Sequence, residues 1–319
     1  ALRDPHPDVQ TVAVRSIGAI REPESVPALL ELLHSVILEP SSRVSLRTVK
    51  SALIAFPLHL ASRLLVSLEL SNPRIRFVAT DIIREMVERE ATSDEKFVLD
   101  SSSFGPELVE VFLTRLFLDD NPDVRARAAG VIGYIPDARS TPALLTLIDD
   151  PEWFVRLHTV RALANRKFMT HSAEIAKRLT DSHWMVREAA AHVLRMYGQR
   201  GLDELIEYFL QTTDRYSKEQ ISDEIQRAGL VPGLLTQFRD DAEGRAAQTL
   251  EQLIDIGKTS YMVELLEKDA DRSLRKTFLE KFARKPDHQI REWLGRLAIR
   301  ETDPELRQLA RSSTEATTD

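Results

Sequence analysis

The apolar pattern of this chain is helical. In "TDSHWMVREAAAHVLR" (180–195), Val186, Ala190, Val193 and Leu194 recur at the spacing of one helix face, and most such runs exceed ten residues, so a strand reading with its period of two fails. Polar junctions divide the runs. Asp4-Pro5, Asn72-Pro73, Asn121-Pro122, Asp150-Pro151 and Asp303-Pro304 each supply a side chain for the free first-turn N–H groups and a proline that the first helical turn tolerates. A short turn near Gly18, Gly133 or Gly198 then leads to a second apolar run such as "STPALLTLI" (140–148), with Pro27 and Pro142 opening that second helix. Each unit reads as two helices.

The units repeat. "DDPEWFVRLHTVRALA" (149–164) returns 31 residues later, and stepping back by 31 from Val155 finds Val124. An arginine follows each key valine (Arg125, Arg156, Arg187), and an aspartate precedes each by five (Asp119, Asp150, Asp181). Outward extension places equivalents at Val9, Val44 and Ile75, and at Ser217, Gly244, Leu274 and Leu306. The register is loosest between 211 and 245. A helix pair this small leaves its apolar face open until neighbours stack on it, which predicts an α-solenoid. The step from Ile75 to Val124 carries an 18-residue surplus, assigned to "EREATSDEKFVLDSSSFG" (88–105). Such insertions emerge on one edge and are candidates for binding, with Phe97 and Leu99 as anchors to the body or to a partner.

The pattern D-x-x-x-x-V-R-x-x-A-A followed by "PALLxLL" resembles HEAT repeats of the short, phycobilisome-lyase-like type. Residues 2–33 and 118–210 carry it best. The resemblance implies an all-α fold, an α-α superhelix of about ten two-helix repeats with a period near 31, spanning 1–311 and followed by a disordered tail at 312–319. It also implies that the acids and arginines form a structural ladder, since an arginine near a seam needs a carboxylate. The chain starts inside a repeat, which fits a piece of a longer protein. In the resembled family the common task is holding other macromolecules. The expectation is therefore a non-catalytic scaffold that binds another protein through a concave surface lined by second helices. Helix phase assigns to that surface Glu31, Glu174, Lys177, Arg178, Glu204, Glu207, Tyr208, Gln237 and Glu264. Three rivals stand beside it: a soluble regulatory domain of a larger protein, membrane-bound or not, a lyase-like subunit handling open-chain tetrapyrroles, and a DNA-binding HEAT-like glycosylase.

Composition narrows these readings. A formal net charge of −7 disfavours nucleic acid, whose partners carry strong positive fields. With no cysteine, thiolate chemistry and cysteine zinc sites are excluded, and a reducing, cytoplasmic location is expected. The most apolar stretch, 51–70, contains His59, Arg63 and Pro57 and reads as two buried helices rather than a membrane span. Residues 271–311 hold eleven Lys/Arg against seven Asp/Glu. That basic segment is either a solvated face or a contact for an anionic partner such as a phospholipid surface. Trp153 and Trp184, two residues before their key valines, read as seam packing more readily than as a stacking platform. His183, Glu188 and His192 do not share a helix face, so no metal is assigned. The sequence contains no nucleophile elbow, P-loop or dinucleotide fingerprint, and no catalytic residue or cofactor is assigned.

Overall fold

The computed structural model describes residues 1–39, 44–93, 104–164, 170–268 and 271–315. Phe97 and Leu99 lie outside the described residues. Contacts divide the chain into two compact units, Ala1–Thr170 and His171–Asp319. Among the described residues every regular element is helical.

The N-terminal unit contains α1 (Pro7–Ile20), α2 (Val26–Leu38), α3 (Leu46–Ile54), α4 (Leu65–Leu68), α5 (Pro73–Ser93), α6 (Pro106–Thr114), α7 (Pro122–Ile132), α8 (Ser140–Leu147) and α9 (Trp153–Ala162). First helices stack in a row, α1 on α3, α3 on α5, α5 on α7 and α7 on α9. The entry aspartates and asparagines differ in their work. Asn72 and Asn121 accept first-turn N–H groups at 2.9 Å, whereas Asp4 and Asp150 sit further back and accept the N–H of His6 and Glu152, outside the helix. The stretch 51–70 does not form two full helices. Pro57 interrupts α3, and Leu58–Leu64 continues as a 3-10 helix into the single turn of α4. Its leucines are nonetheless core: Leu53, Leu58, Leu60, Leu64 and Leu68 are all buried. At the expected insertion, α5 runs on to Ser93, so residues 88–93 extend a helix.

The C-terminal unit contains α10 (Ser172–Ala176), α11 (Trp184–Met196), α12 (Gln199–Gln211), α13 (Arg215–Arg227), α14 (Val231–Asp240), α15 (Arg245–Asp255), α16 (Ser260–Lys268), α17 (Arg272–Phe282), α18 (His288–Arg300) and α19 (Pro304–Glu315). Here the row changes. α15 packs on the second helices α12 and α14, and α17 packs on α14. The loose register has this origin. Val124, Val155, Val186, Ser217, Leu274 and Leu306 are each the third residue of their helix, while Gly244 precedes α15. The last helix continues to Glu315, four residues into the segment expected to be a disordered tail.

The glycines near the turns also divide. Gly198, at φ +65°, turns the chain between α11 and α12, a conformation that other residues adopt at a cost. Gly18 and Gly133 instead let helices approach: an added Cβ would lie 2.9 Å from Ala52 Cα and 3.0 Å from the Ala162 carbonyl oxygen.

Candidate functional site

The acid–arginine positions come together through one recurring turn. Asp119, Asp150 and Asp181 each accept the N–H two residues ahead at 2.9 Å, which aims the second carboxylate oxygen along the row. Arg76 of α5 donates from Nε and Nη2 to Asp119 at 2.7 and 2.8 Å. Arg125 of α7 does the same to Asp150 at 2.7 and 3.0 Å. The remaining nitrogen of each binds backbone carbonyls, those of Leu70 and Ser71 for Arg76 and that of Asp119 for Arg125. Arg156 and Arg187 make the corresponding carbonyl contacts, to Asp150 and Asp181, at 2.8 Å. Buried guanidinium groups so fully bonded serve the seam and leave little for a ligand.

Arg187 departs from the pattern. Thr212 stands where the next acid belongs, the buried Arg187 Nε has no acceptor, and the guanidinium lies 5.4 Å from the Tyr216 ring centroid instead. A rung missing from the expected set joins Arg275 to Glu301 at 2.7 Å. The sequence carries its signal, because Glu301 lies five residues before Leu306, with glutamate in place of the repeat's aspartate.

Between α5, α7 and α9 a groove of about 500 Å³ opens, lined by Arg84, Glu88, Tyr134, His158 and Arg161 over Gly130 and Gly133. Asp81 is the charged hub beneath it. Lys50 bonds both Asp81 and Glu85, and Arg84 bonds Asp81 at 2.9 Å and Glu88 at 2.5 Å. Burial would raise the Asp81 carboxyl, but hydrogen bonds from Lys50 and Arg84 overcome it and hold the group below its ordinary value. Arg127 Nε lies 2.8 Å from Asp81 yet off line for a hydrogen bond, so that contact is electrostatic. Its Nη1 lies 3.1 Å from His158 Nε2. Burial first, then Arg127, Arg161 and Arg84, push His158 down to about 4. The ring is neutral at physiological pH and accepts from Arg127. Arg161 is exposed and makes no ion pair among the described residues. Sequence alone reaches only the rim of this groove, through Glu88 of the 88–105 segment and the turn glycine Gly133; Arg84, Tyr134, His158 and Arg161 lie on or beside first helices, not on the second-helix row expected to bind.

The residues expected on that row are dispersed. Glu174 lies 3.8 Å from His171, and Arg178 lies 3.9 Å from Asp181. Glu204 and Tyr208 are half-buried and Lys177 is exposed. Glu207 pairs with Arg245 at 3.3 Å, and Gln237 shares with Arg245 a smaller groove of about 230 Å³. Glu31 pairs with Arg3, and Glu264 with Lys268. Trp153 is half-buried, but Trp184 is 46% exposed, so the seam reading fails for the second ring, which stacks on His183. His183 caps α11 by accepting from the Met185 N–H, and His192 faces Arg195.

The basic segment is not a free patch. Arg272 bonds Asp303 and Glu305, Lys276 bonds Glu305, Lys281 bonds Glu243, and Lys285 bonds Glu251 and Asp255. Among the described residues no helix is long and apolar enough to cross a membrane, and no cluster of three metal-ligating side chains occurs.

Two family profiles match parts of this chain. The family profile "HEAT repeats" matches residues 109–173 and 155–223, and "PBS lyase HEAT-like repeat" matches residues 9–35. No curated protein matches the chain. Among solved structures, an engineered protein is 18% identical over 100% of this chain and 87% of its own, with a TM-score of 0.42. A second engineered protein is 17% identical over 81% and 96%, with a TM-score of 0.34. A tumor overexpressed gene domain array, from a study of tubulin recruitment by microtubule polymerases, is 11% identical over 99% and 90%, with a TM-score of 0.30.

Proposed function

Because this chain is a HEAT-repeat protein, of the PBS-lyase-like type, we propose that it is a non-catalytic scaffold for another protein and that the first-helix groove of its N-terminal unit is the contact face. The HEAT-repeat fold is typical of protein-interaction scaffolds. The observation that carries the placement is the groove's lining. Tyr134, His158 and Arg161 surround about 500 Å³ of open space, and Arg161 has no ion pair to lose there among the described residues. Tyrosine and arginine are the side chains that protein interfaces favour. The second-helix set around Glu207, Tyr208 and Gln237 forms a separate candidate surface in the C-terminal unit.

A photo-crosslinking amino acid placed in turn at Tyr134, Arg161, Gln237 and Arg291 tests the placement in the native cell. Crosslinks to one protein from Tyr134 and Arg161, with none from the exposed control Arg291, are the expected result. Crosslinks confined to Gln237 would move the contact to the second-helix surface.

A further inference from the structure

One rung of the ladder, in the C-terminal unit, keeps its geometry but carries no acid. Thr212 stands 31 residues after Asp181 and 25 after Arg187, the interval that separates Arg125 from its partner Asp150. The turn that presents the rung acids is retained there. Thr212 Oγ1 accepts the Asp214 N–H at 3.2 Å, just as Asp119, Asp150 and Asp181 accept the N–H two residues ahead of them. A hydroxyl has replaced a carboxylate at an otherwise unchanged position. Its backbone is extended at φ −71° and ψ 141°, and Thr213, Asp214, Arg215 and Tyr216 beside it are exposed.

The arginine side is retained as well. Arg187 Nη1 donates to the Asp181 and Ser182 carbonyl oxygens at 2.8 and 3.4 Å, the anchoring contact that Arg76, Arg125 and Arg156 share. In Arg76 and Arg125 the other edge of the guanidinium, Nε and Nη2, grips the next acid. In Arg187 the buried Nε has no acceptor among the described residues, and Nη2 makes no hydrogen bond among them either. The group nonetheless stays by this turn. It faces the Tyr216 ring at 5.4 Å. The Asp214 carboxyl is held below its ordinary value by the Ser217 hydroxyl first, then by the N–H groups of Ser217 and Tyr216, and then by the charge of Arg187. A buried donor on a charged group is costly to leave unmade, so the site favours an anion attached to Thr212.

We propose that Thr212 is a phosphorylation site, and that its phosphate takes on Arg187 the place the rung acids hold elsewhere, tightening the seam where α11 packs on α13. A phosphothreonine brings a charge of about −1.5 to −2 near neutral pH and three strong acceptor oxygens, which suit the paired N–H groups of an arginine. The group comes from a nucleoside triphosphate through a protein kinase. The bond from Thr212 Oγ1 to the γ-phosphorus forms, and the bond from that phosphorus to the β–γ bridging oxygen breaks. The hydroxyl proton passes to the kinase's general base, and a nucleoside diphosphate leaves.

The test has two arms. In the first, phosphothreonine is incorporated at position 212 of the full chain, and the hydroxyl and phosphate forms are compared in the wild-type and Arg187→Gln backgrounds. The phosphate should raise the wild-type melting temperature by about 3 °C or more and slow hydrogen exchange in the first turns of α13 at least about tenfold. Almost none of either gain should survive in Arg187→Gln, and phosphothreonine at position 213 should produce neither. In the second arm, mass spectrometry of the protein from its native cell, with phosphatases inhibited, should find phosphate on Thr212. A phosphate that gives no gain, or a gain that persists without Arg187, overturns the proposal. So does native protein with Thr212 unmodified. Stabilisation by Thr212→Asp but not by the phosphate also overturns it, since that outcome marks a rung that has merely lost its acid.

Discussion

His158 shows how one side chain inherits its chemistry from its neighbours. Its folded pKa is about 4, against roughly 6.5 in an unfolded chain. Between those values the unfolded chain holds a proton that the folded chain lacks, so stability rises with pH across that window. Falling pH should therefore weaken the protein from about pH 6.5 to about pH 4, by on the order of 2 kcal/mol after solvent screening is allowed for. Denaturant titrations should show the wild type losing about that much stability relative to H158Q as pH falls across this range. Parallel curves would show that the ring is not held neutral. The sequence did not announce this residue. His158 was visible only as a helix position three after a key valine, and its environment comes from Arg84, 74 residues earlier in the chain, as much as from its own helix. The ladder was more legible because its partners recur at fixed spacing. It was misread where chemistry changed letter without changing role, as at Glu301, and where the role lapsed, as at Thr212.

At the level of helices, the same residue type does opposite work in two places. Gly201 lies in α12, where an added Cβ would stand 2.0 Å from the Leu194 carbonyl oxygen. Gly295 lies inside α18 with nothing within 4 Å of that point. Gly201→Ala should cost about 1–3 kcal/mol, because backbone must move. Gly295→Ala should instead stabilise by about 0.4–1 kcal/mol, because the unfolded chain loses freedom at no steric cost. Thermal melts of the two variants should shift in opposite directions, and a shared sign would contradict the packing described. Helix existence was legible from apolar spacing and from the Asx-Pro entries. The exchange of packing partners after α13 was not. Its sequence, "RYSKEQISDEIQR", lacks the small apolar stripe by which first helices approach one another in the N-terminal unit, and α15 settles against α12 and α14 instead.

For the molecule as a whole, charge is used to join elements more than to attract partners. The basic residues of 271–311 looked like a surface for anions because sequence counts charges without their partners. Lys281 lies 2.5 Å from Glu243, and Lys285 lies 2.8 and 2.9 Å from Glu251 and Asp255. Lys281→Glu with Lys285→Glu should therefore destabilise the protein by about 1–2 kcal/mol, the scale of two lost pairs and new repulsion. Arg284→Glu, at an exposed position with no ion pair among the described residues, should be close to neutral. Flotation with anionic phospholipid vesicles near physiological salt should retain none of the wild type. Binding that Arg284→Glu alone abolishes would restore the segment as a membrane contact.

The indole of Trp293 has a consequence of a different kind. It is 1% exposed, its N–H has no acceptor, and it meets Phe278 edge-on at 5.7 Å within the cluster of Phe238, Phe278 and Phe282. An indole without a polar neighbour emits at the blue end of its fluorescence range and is sheltered from aqueous quenchers, whereas Trp184 in the same unit faces water. Trp153 belongs to the other unit. The chain thus carries three indoles in three surroundings, and substituting two of them by phenylalanine leaves a single tryptophan probe of either unit.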